Sequence, residues 1–388
     1  MTKPLMAMKA ACALLTLAVL PSAWGFKDPL DLPAMMAPKA AKALMLNVTS
    51  HESNVLVVGE RGIVLKKDMA AADPATGVKD ADGRVWTQAQ VPTSVNLTSA
   101  VFASPSVAYV VGHDGVVLKS TDAGLTWSRV FDGHKANEQV VAAAKKKMEA
   151  FQAKYDAASP AEQDAMSEAL EAATFAFEDA EAGARFGPSR PMLDVWFKDE
   201  NTGWVVGSYG QIFETTDGGA NWTLVADRLN NPDFRHYNGL YGDSTGLMLI
   251  AGEAGRVYKS TDFAQTWERM DTGYIGHFYG TAVTRNAAGE PTIFAYGFGG
   301  NVYRLGPNAS AWWQLKSPTK ESLVQGLNVG NKVMFVDQKG RLVATDESGT
   351  ALTMVLKDEG KPVTGMAQVG DTFVYSAQGG PRVVNVPR

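Results

Sequence analysis

Few residues in this sequence have the types and spacing that chemistry requires. Gly242-Asp243-Ser244-Thr245-Gly246 fits the G-x-S-x-G pattern of a nucleophilic serine. That serine needs a tight strand-to-helix turn, whereas this segment aligns with a strand-to-strand turn at 199–203 of a repeat. Asp80-Ala81-Asp82-Gly83 is half a calcium loop without the remaining ligands or the distal Glu. The five histidines, His51, His113, His134, His236 and His277, show no metal-ligand spacing, and no phosphate-binding glycine loop is present. The one cysteine is Cys12. The expectation is therefore no metal, no cofactor and no disulfide-linked partner.

The motif that does recur is a turn. Ser120-Thr121-Asp122-Ala123-Gly124-Leu125-Thr126-Trp127 matches the Asp-box, S-x-D-x-G-x-T-W. It returns with Asp217, Gly219 and Trp222, and again with Asp262 and Trp267, where Ala264 replaces the glycine. Such an aspartate can accept hydrogen bonds from the N–H groups of its own turn, with the tryptophan packed beneath. These residues are expected to staple a turn rather than to catalyse.

The Asp-boxes sit in phase within a longer unit: apolar strand, Gly-x-x-Gly, apolar strand, polar turn, Trp. The clearest copies are NVLVVGERGIVLKK at 54–67, YVVGHDGVVLKSTDAGLTW at 109–127, WVVGSYGQIFETTDGGANW at 204–222 and LIAGEAGRVYKSTDFAQTW at 249–267. Weaker ones follow at 294–305, 334–345 and 374–386. The second glycines, Gly62, Gly115, Gly210, Gly255, Gly300, Gly340 and Gly380, are separated by 53, 95, 45, 45, 40 and 40 residues. A four-stranded propeller blade uses about 40–45 residues, so the pattern predicts an all-β, seven-bladed β-propeller of four-stranded blades. The seventh unit stops after its third strand, and a strand from residues 26–43 is expected to complete it, although Pro29, Pro33 and Pro38 confine that strand to an edge.

Composition agrees with one large exported domain. Lys3 and Lys9 precede an apolar run at 10–20 and a small-residue site at Ala23-Trp24-Gly25, the pattern of a secretory signal peptide over residues 1–25. The run is too short for a bilayer, which needs about 20 residues. Cleavage removes Cys12 and two lysines, leaving 34 basic against 41 acidic residues, a change in net charge from -5 to -7. That gives no electrostatic reason for nucleic acid as a partner. The expected location is the periplasm, with association to the membrane through a partner.

One stretch is not propeller. No glycine lies between Gly133 and Gly183, and the segment is rich in Ala, Glu, Lys and Met. Val141, Ala144, Met148, Phe151 and Tyr155 form one helical stripe, and Met166, Leu170, Ala173 and Phe177 another. Ser159 and Pro160 are the N-cap and first residue of the second helix. A helical hairpin over 135–182, with lysines on the first helix and acids on the second, is expected as an insertion. In a propeller it lies on the face of the Gly-x-x-Gly turns. Candidate partner-binding residues on that face are Arg61, His113, Tyr209, Arg256, Phe298 and Arg341.

The units resemble the photosystem II stability/assembly factor family (BNR, or Asp-box, repeat propellers) and its relatives in non-photosynthetic bacteria. The VVGxxG and STDxGxTW-like segments at 109–127, 204–222 and 249–267 carry the likeness, and the helical insertion departs from it. The resemblance implies a seven-bladed propeller acting as a non-enzymatic factor in assembly of membrane-protein complexes. The expected function is thus binding to, and assisting assembly or action of, a membrane-protein complex such as an exporter, through the Gly-turn face and the hairpin. The alternative is a glycan-binding or glycoside-hydrolysing Asp-box propeller of the sialidase type. No F-R-I-P segment supports it, and Arg61, Arg256 and Arg285 form no triad assignable from spacing. A general scaffold with many weak partners is a third reading.

Overall fold

The computed structural model describes residues 27–357 and 360–385, so the signal peptide expected at 1–25 lies outside them. The chain forms seven antiparallel sheets in sequence order around an axis, each built outward from an inner strand. It is a seven-bladed β-propeller with an inserted helical hairpin. The third blade is typical: Met192–Phe197, Gly203–Gly207, Ile212–Thr215 and Thr223–Leu224. The first blade has five strands, because a hairpin adds Val78–Lys79 outside Val85–Gln88. The seventh has three among the described residues, Val363–Val369, Thr372–Ala377 and Arg382–Asn385.

The core is a set of seams between neighbouring blades. Alternating Val, Leu and Ile of the second and third strands fill each seam, as β-branched and aliphatic residues do on a pleated surface. Each fully buried side chain of this kind contributes about 1.5–3 kcal/mol. Aromatic rings seal the seams further out: Tyr109 of blade 2 stacks on Phe197 of blade 3 at 3.6 Å. Every inner strand also carries a bulge near its start. At three junctions the bulged residue donates to the next blade's backbone: Thr98 Oγ1 to Met192 O at 2.7 Å, Asn238 Nδ2 to Phe278 O at 2.8 Å, and Thr364 Oγ1 to Met45 O at 2.7 Å.

The ring does not close as the sequence predicts. Residues 27–43 add no strand to the last blade. They form two short helical turns, Pro29–Asp31 and Ala40–Lys42, that lie over the Gly-turn face from blade 2 back to blade 7. Leu30 and Ala34 pack with Val91, Val95 and Trp127, while Ala40 and Ala41 pack with Trp86, Val374 and Val383. Ala34 N donates to Val91 O and Ser94 N to Pro29 O, both at 2.9 Å. Prolines 29, 33 and 38 deny this segment the ladder donors that a strand needs. Closure comes from passage of the backbone. In blades 1, 4 and 5 the second glycine lies beneath a carbonyl of the chain leaving for the next blade: Gly62 under Thr93, Gly255 under Tyr274, Gly300 under Thr319. At Gly380 the carbonyl is that of Ala41, so the N-terminal segment takes the place of an outgoing connection. Leu44 then bridges to Gln378 before the first inner strand begins.

Gly380 has φ +111°, and a Cβ there would collide with the Ala41 carbonyl oxygen. Gly380→Ala is expected to destabilise the protein by about 2–4 kcal/mol through combined overpacking and backbone strain. Denaturant unfolding monitored by tryptophan fluorescence measures it.

Candidate functional site

The two ends of the ring differ in construction. On one, the turns between third and outer strands carry the Asp-boxes. Asp122 accepts from Leu125 N, Thr126 N and Thr126 Oγ1 at 3.0, 2.9 and 2.6 Å, and Trp127 Nε1 donates to Gly124 O at 3.1 Å. Asp217 is held by Asn221 N and Nδ2 at 2.8 and 2.7 Å, Asp262 by Thr266 N and Oγ1 at 3.0 and 2.6 Å. Gly124 and Gly219 have φ of 92° and 86°, and Ala264, in the glycine's place, has 64°. Trp222 is buried and Trp267 partly so. A fourth such turn, missed from sequence, is Asp346 in blade 6, which accepts from Thr350 N at 2.7 Å and Ala351 N at 3.1 Å. Its signal was T-D-E-S-G-T without the tryptophan.

These carboxylates have their hydrogen bonds supplied from within the turn. Partial burial pushes the Asp122 carboxyl up, but the Thr126, Ser120 and Leu125 donors outweigh it and bring it to about 2. The Thr266 hydroxyl and N–H lower Asp262 to about 2. Folded values below the usual 3.8 mean a stabilisation present above that pH and lost as pH falls toward 2. Asp122→Asn is therefore expected to lower the melting temperature at pH 6. The gap to wild type should narrow between pH 4 and 2, which calorimetry across that range checks.

The opposite end is the Gly-turn face. All six candidate partner-binding residues lie in or beside its turns. Arg61, His113, Tyr209 and Phe298 are exposed. Arg61 and Tyr209 sit in the left-handed region at φ 56° and 57°, which is strained for a non-glycine residue and holds the side chain outward. Arg256 and Arg341 are committed elsewhere. Arg256 pairs with Asp233 at 2.7 Å. Arg341 contacts Asp337, a fully buried carboxylate, at 2.7 Å and Thr319 Oγ1 at 2.6 Å. Removing Arg341 strands a buried charge, so Arg341→Ala is expected to cost about 3–5 kcal/mol of stability. Arg61→Ala should leave the thermal unfolding midpoint within about 1 °C, as surface substitutions usually do.

Between blades 3 and 5 exposed and half-buried residues of the Gly-turn face join into an arc. The Arg190 guanidinium lies 4.8 Å from the Tyr209 ring centre, and Tyr209 meets His236 edge-on at 4.9 Å. Glu253 Oε1 lies 3.9 Å from His236 Nδ1 and 3.8 Å from His277 Nδ1. Phe298 N donates to His277 O at 3.1 Å. Phe234 and Ile275 stand exposed in the flanking connections, Ile275 at 92%. Spacing of 41 residues between His236 and His277 hid their convergence on one carboxylate. Among the described residues no group of three His, Cys, Asp or Glu is placed to hold a metal ion.

The helical arm rises from the same face. Helix α1 is Gly133–Ala157 and α2 is Pro160–Arg185. Asp132 caps α1, accepting from His134 N at 3.1 Å, and Ser159 N donates to Glu162 Oε2 at 2.9 Å in a capping box. The two apolar stripes, with Ala173 and Ala180 buried, form the contact between the helices. The ion pairs of the hairpin run within a helix, as Lys145–Glu149 and Arg185–Glu181 do, so opposite charge is not what joins them. The arm's hydrogen bonds to the propeller and its links lie at the base. Gln139 Nε2 donates to Trp222 O and Leu224 N to Gln139 Oε1, both at 2.8 Å, and Asn137 Nδ2 donates to Gly187 O at 3.0 Å.

The two motif matches of hydrolase and calcium type resolve into turns. Asp243 accepts from Thr245 N at 2.9 Å and pairs with Arg285 at 2.6 Å, between strands rather than before a helix. Asp80 accepts from Asp82 N, Arg84 N and Trp86 Nε1, each at 2.9 Å, in the extra hairpin of blade 1.

Fold, blade turns and face together define an Asp-box β-propeller carrying a surface arm. Within that class, a family model described as photosynthesis system II assembly factor YCF48 matches residues 186–315, which are blades 3 to 5. The photosystem II assembly lipoprotein Ycf48 of Synechococcus sp. (strain CC9902) is 37% identical over 125 residues, 31% of this chain. The match spans 35% of that relative's own length, about a third. Two solved structures share the architecture at 15% identity. YCF48 bound to D1 peptide has a TM-score of 0.57 and covers 90% of this chain and 93% of its own. YCF48 from Cyanidioschyzon merolae has a TM-score of 0.56, with 90% and 97% covered. The similarity to the photosystem II assembly factor-like family thus holds, and it is carried by blades 3 to 5.

Proposed function

We propose that this protein is a non-enzymatic, exported propeller that holds an extracytoplasmic segment of a membrane protein while its complex is assembled or at work. The carrying observation is a set of exposed apolar side chains on one face. Met35, Met36, Tyr209, Phe234, Ile275 and Phe298 are all exposed, and all belong to turns or connections of the Gly-turn face. Aromatic anchors surrounded by mixed charge are the composition of a protein-recognition surface. The relatives' names point the same way: one is an assembly lipoprotein, and another was solved with a D1 peptide. Arg61, His113, Tyr209 and Phe298 are the contact residues in this reading, Arg256 and Arg341 the supports of their turns. The arm extends the face on the side of blades 2 and 3. No helix among the described residues is long and apolar enough to cross a membrane.

Glycoside hydrolysis is the weaker reading, because it uses two carboxyl groups flanking the bond and the residues lining the axial channel include one, Asp194.

Affinity capture from solubilised membranes tests the proposal and names the complex, an exporter subunit among the outcomes. Replacing residues 144–176 by a short Gly-Ser turn leaves the docked base intact and is expected to reduce partner recovery several-fold. Tyr209→Ser with Phe298→Ser should reduce it at least ten-fold, the loss of two anchors of roughly 1–2 kcal/mol each. Undiminished recovery with both variants would sink the role of this face.

A further inference from the structure

The hairpin seam uses one side of α2, where Ala173 and Ala180 are buried, and the opposite side carries two bare aromatic rings. Phe175 is 70% exposed and Phe186 86%. At about 100° per residue, Phe175 lies roughly 160° around the helix from both Ala173 and Phe177, so it takes no part in packing against α1. Phe186 follows eleven residues later, close to three full turns. Both rings therefore share one stripe, about 16 Å apart along the axis. Residues three, four and seven positions from Phe175 lie on the same stripe, and they are Glu168, Glu171, Glu178 and Asp179. All four are exposed, and the ion pairs of the arm leave Glu168, Glu171 and Glu178 without a cation among the described residues. Asp179 lies 3.6 Å from Arg190, whose guanidinium covers Tyr209 at 4.8 Å, so the stripe runs from the arm onto the Gly-turn face. Along its length α2 holds seven carboxylates against one arginine.

We propose that this stripe docks a basic amphipathic helix of the partner, laid along α2 with its apolar residues on Phe175 and Phe186 and its lysines or arginines over the carboxylates. The inference rests on the partner-binding reading given above and names the chemistry of the contact made by the arm. Charge selects the occupant. A twofold contact with a second copy sets the same carboxylates against each other, and like charges so opposed weaken an interface. An anionic lipid surface is repelled for the same reason. A cationic partner is steered toward α2 and neutralises Glu168, Glu171 and Glu178, which no residue of the arm does. Spacing selects a helix. A straight stripe of three turns is matched by a facing helix whose apolar positions recur every three or four residues, the pattern of helix-on-helix recognition.

Fluorescence anisotropy with a labelled leucine–lysine peptide of helical periodicity provides the test, beside a peptide of the same composition in alternating order. The helical-period peptide is expected to bind the purified protein with one-to-one stoichiometry, and the alternating one at least ten-fold more weakly. Raising salt from 50 to 500 mM should weaken binding at least ten-fold, because the carboxylates are exposed. Phe175→Ser with Phe186→Ser should do the same, as should Glu168→Gln with Glu171→Gln and Glu178→Gln. All five side chains are exposed, so circular dichroism and the unfolding midpoint should stay as in wild type. Equal binding of the two peptides, or binding untouched by the serine substitutions, overturns the proposal. So does self-association in sedimentation velocity that those substitutions abolish, which makes a second copy the occupant. Partner capture separates this inference from the reading beneath it: recovery lost with Tyr209→Ser and Phe298→Ser but kept with Phe175→Ser and Phe186→Ser sinks the α2 contact and leaves the function standing.

Discussion

The structure depends on one steric constraint: at the Gly-turn face of blades 1 to 5 and 7 the backbone passes so close to a neighbouring strand or connection that a side chain has no room. The first glycine of a unit lies against the carbonyl entering its own inner strand, as Gly59 does against Leu44, and the second against the chain departing for the next blade. The constraint also explains why four non-glycine residues, Arg61, Asp114, Tyr209 and Ala254, tolerate left-handed backbone at the turn apex. The flanking glycines leave the chain no other path, and at Arg61 and Tyr209 the side chain is directed into solvent.

The constraint separates a rigid end from an informative one. Asp-box carboxylates take their hydrogen bonds from within their own turns and leave little that a partner could read. The Gly-turn face has its geometry fixed by glycine and its side chains free to vary, which is how a repeated fold acquires a surface of its own. The insertion uses the same logic. It enters where a blade-to-blade connection must run, with Gly115 close beneath Gly133 at 2.7 Å from a would-be Cβ to the Gly133 Cα. The propeller thus treats α1 as a long version of an ordinary link.

What was legible in the sequence is what the steric rule imposes. Seven recurring turn glycines gave the blade count, and the silence of glycine over the insertion marked the hairpin, with both apolar stripes turning out to be its inner seam. Contacts made between distant residues were not legible. The sealing of the ring by alanines 40 and 41 carries no motif, because a small residue next to a backbone carbonyl has no periodic signature. Arg256 and Arg341 read as surface charges like Arg61, since their partners Asp233 and Asp337 announce themselves only in three dimensions. Gln139, a single amide in the first turns of α1, docks the hairpin on Trp222 and Leu224 with nothing in its neighbourhood to single it out.

Closure by Ala41 over Gly380 has a temporal side. A chain made from its N-terminus presents Ala41 about 340 residues before the glycine that receives it. Until then Ala40, Ala41, Trp86 and Val57 have half a seam to pack against, and the first blade stays open on one flank. The last blade completes that seam: a product truncated within it leaves the apolar flank of the first blade bare.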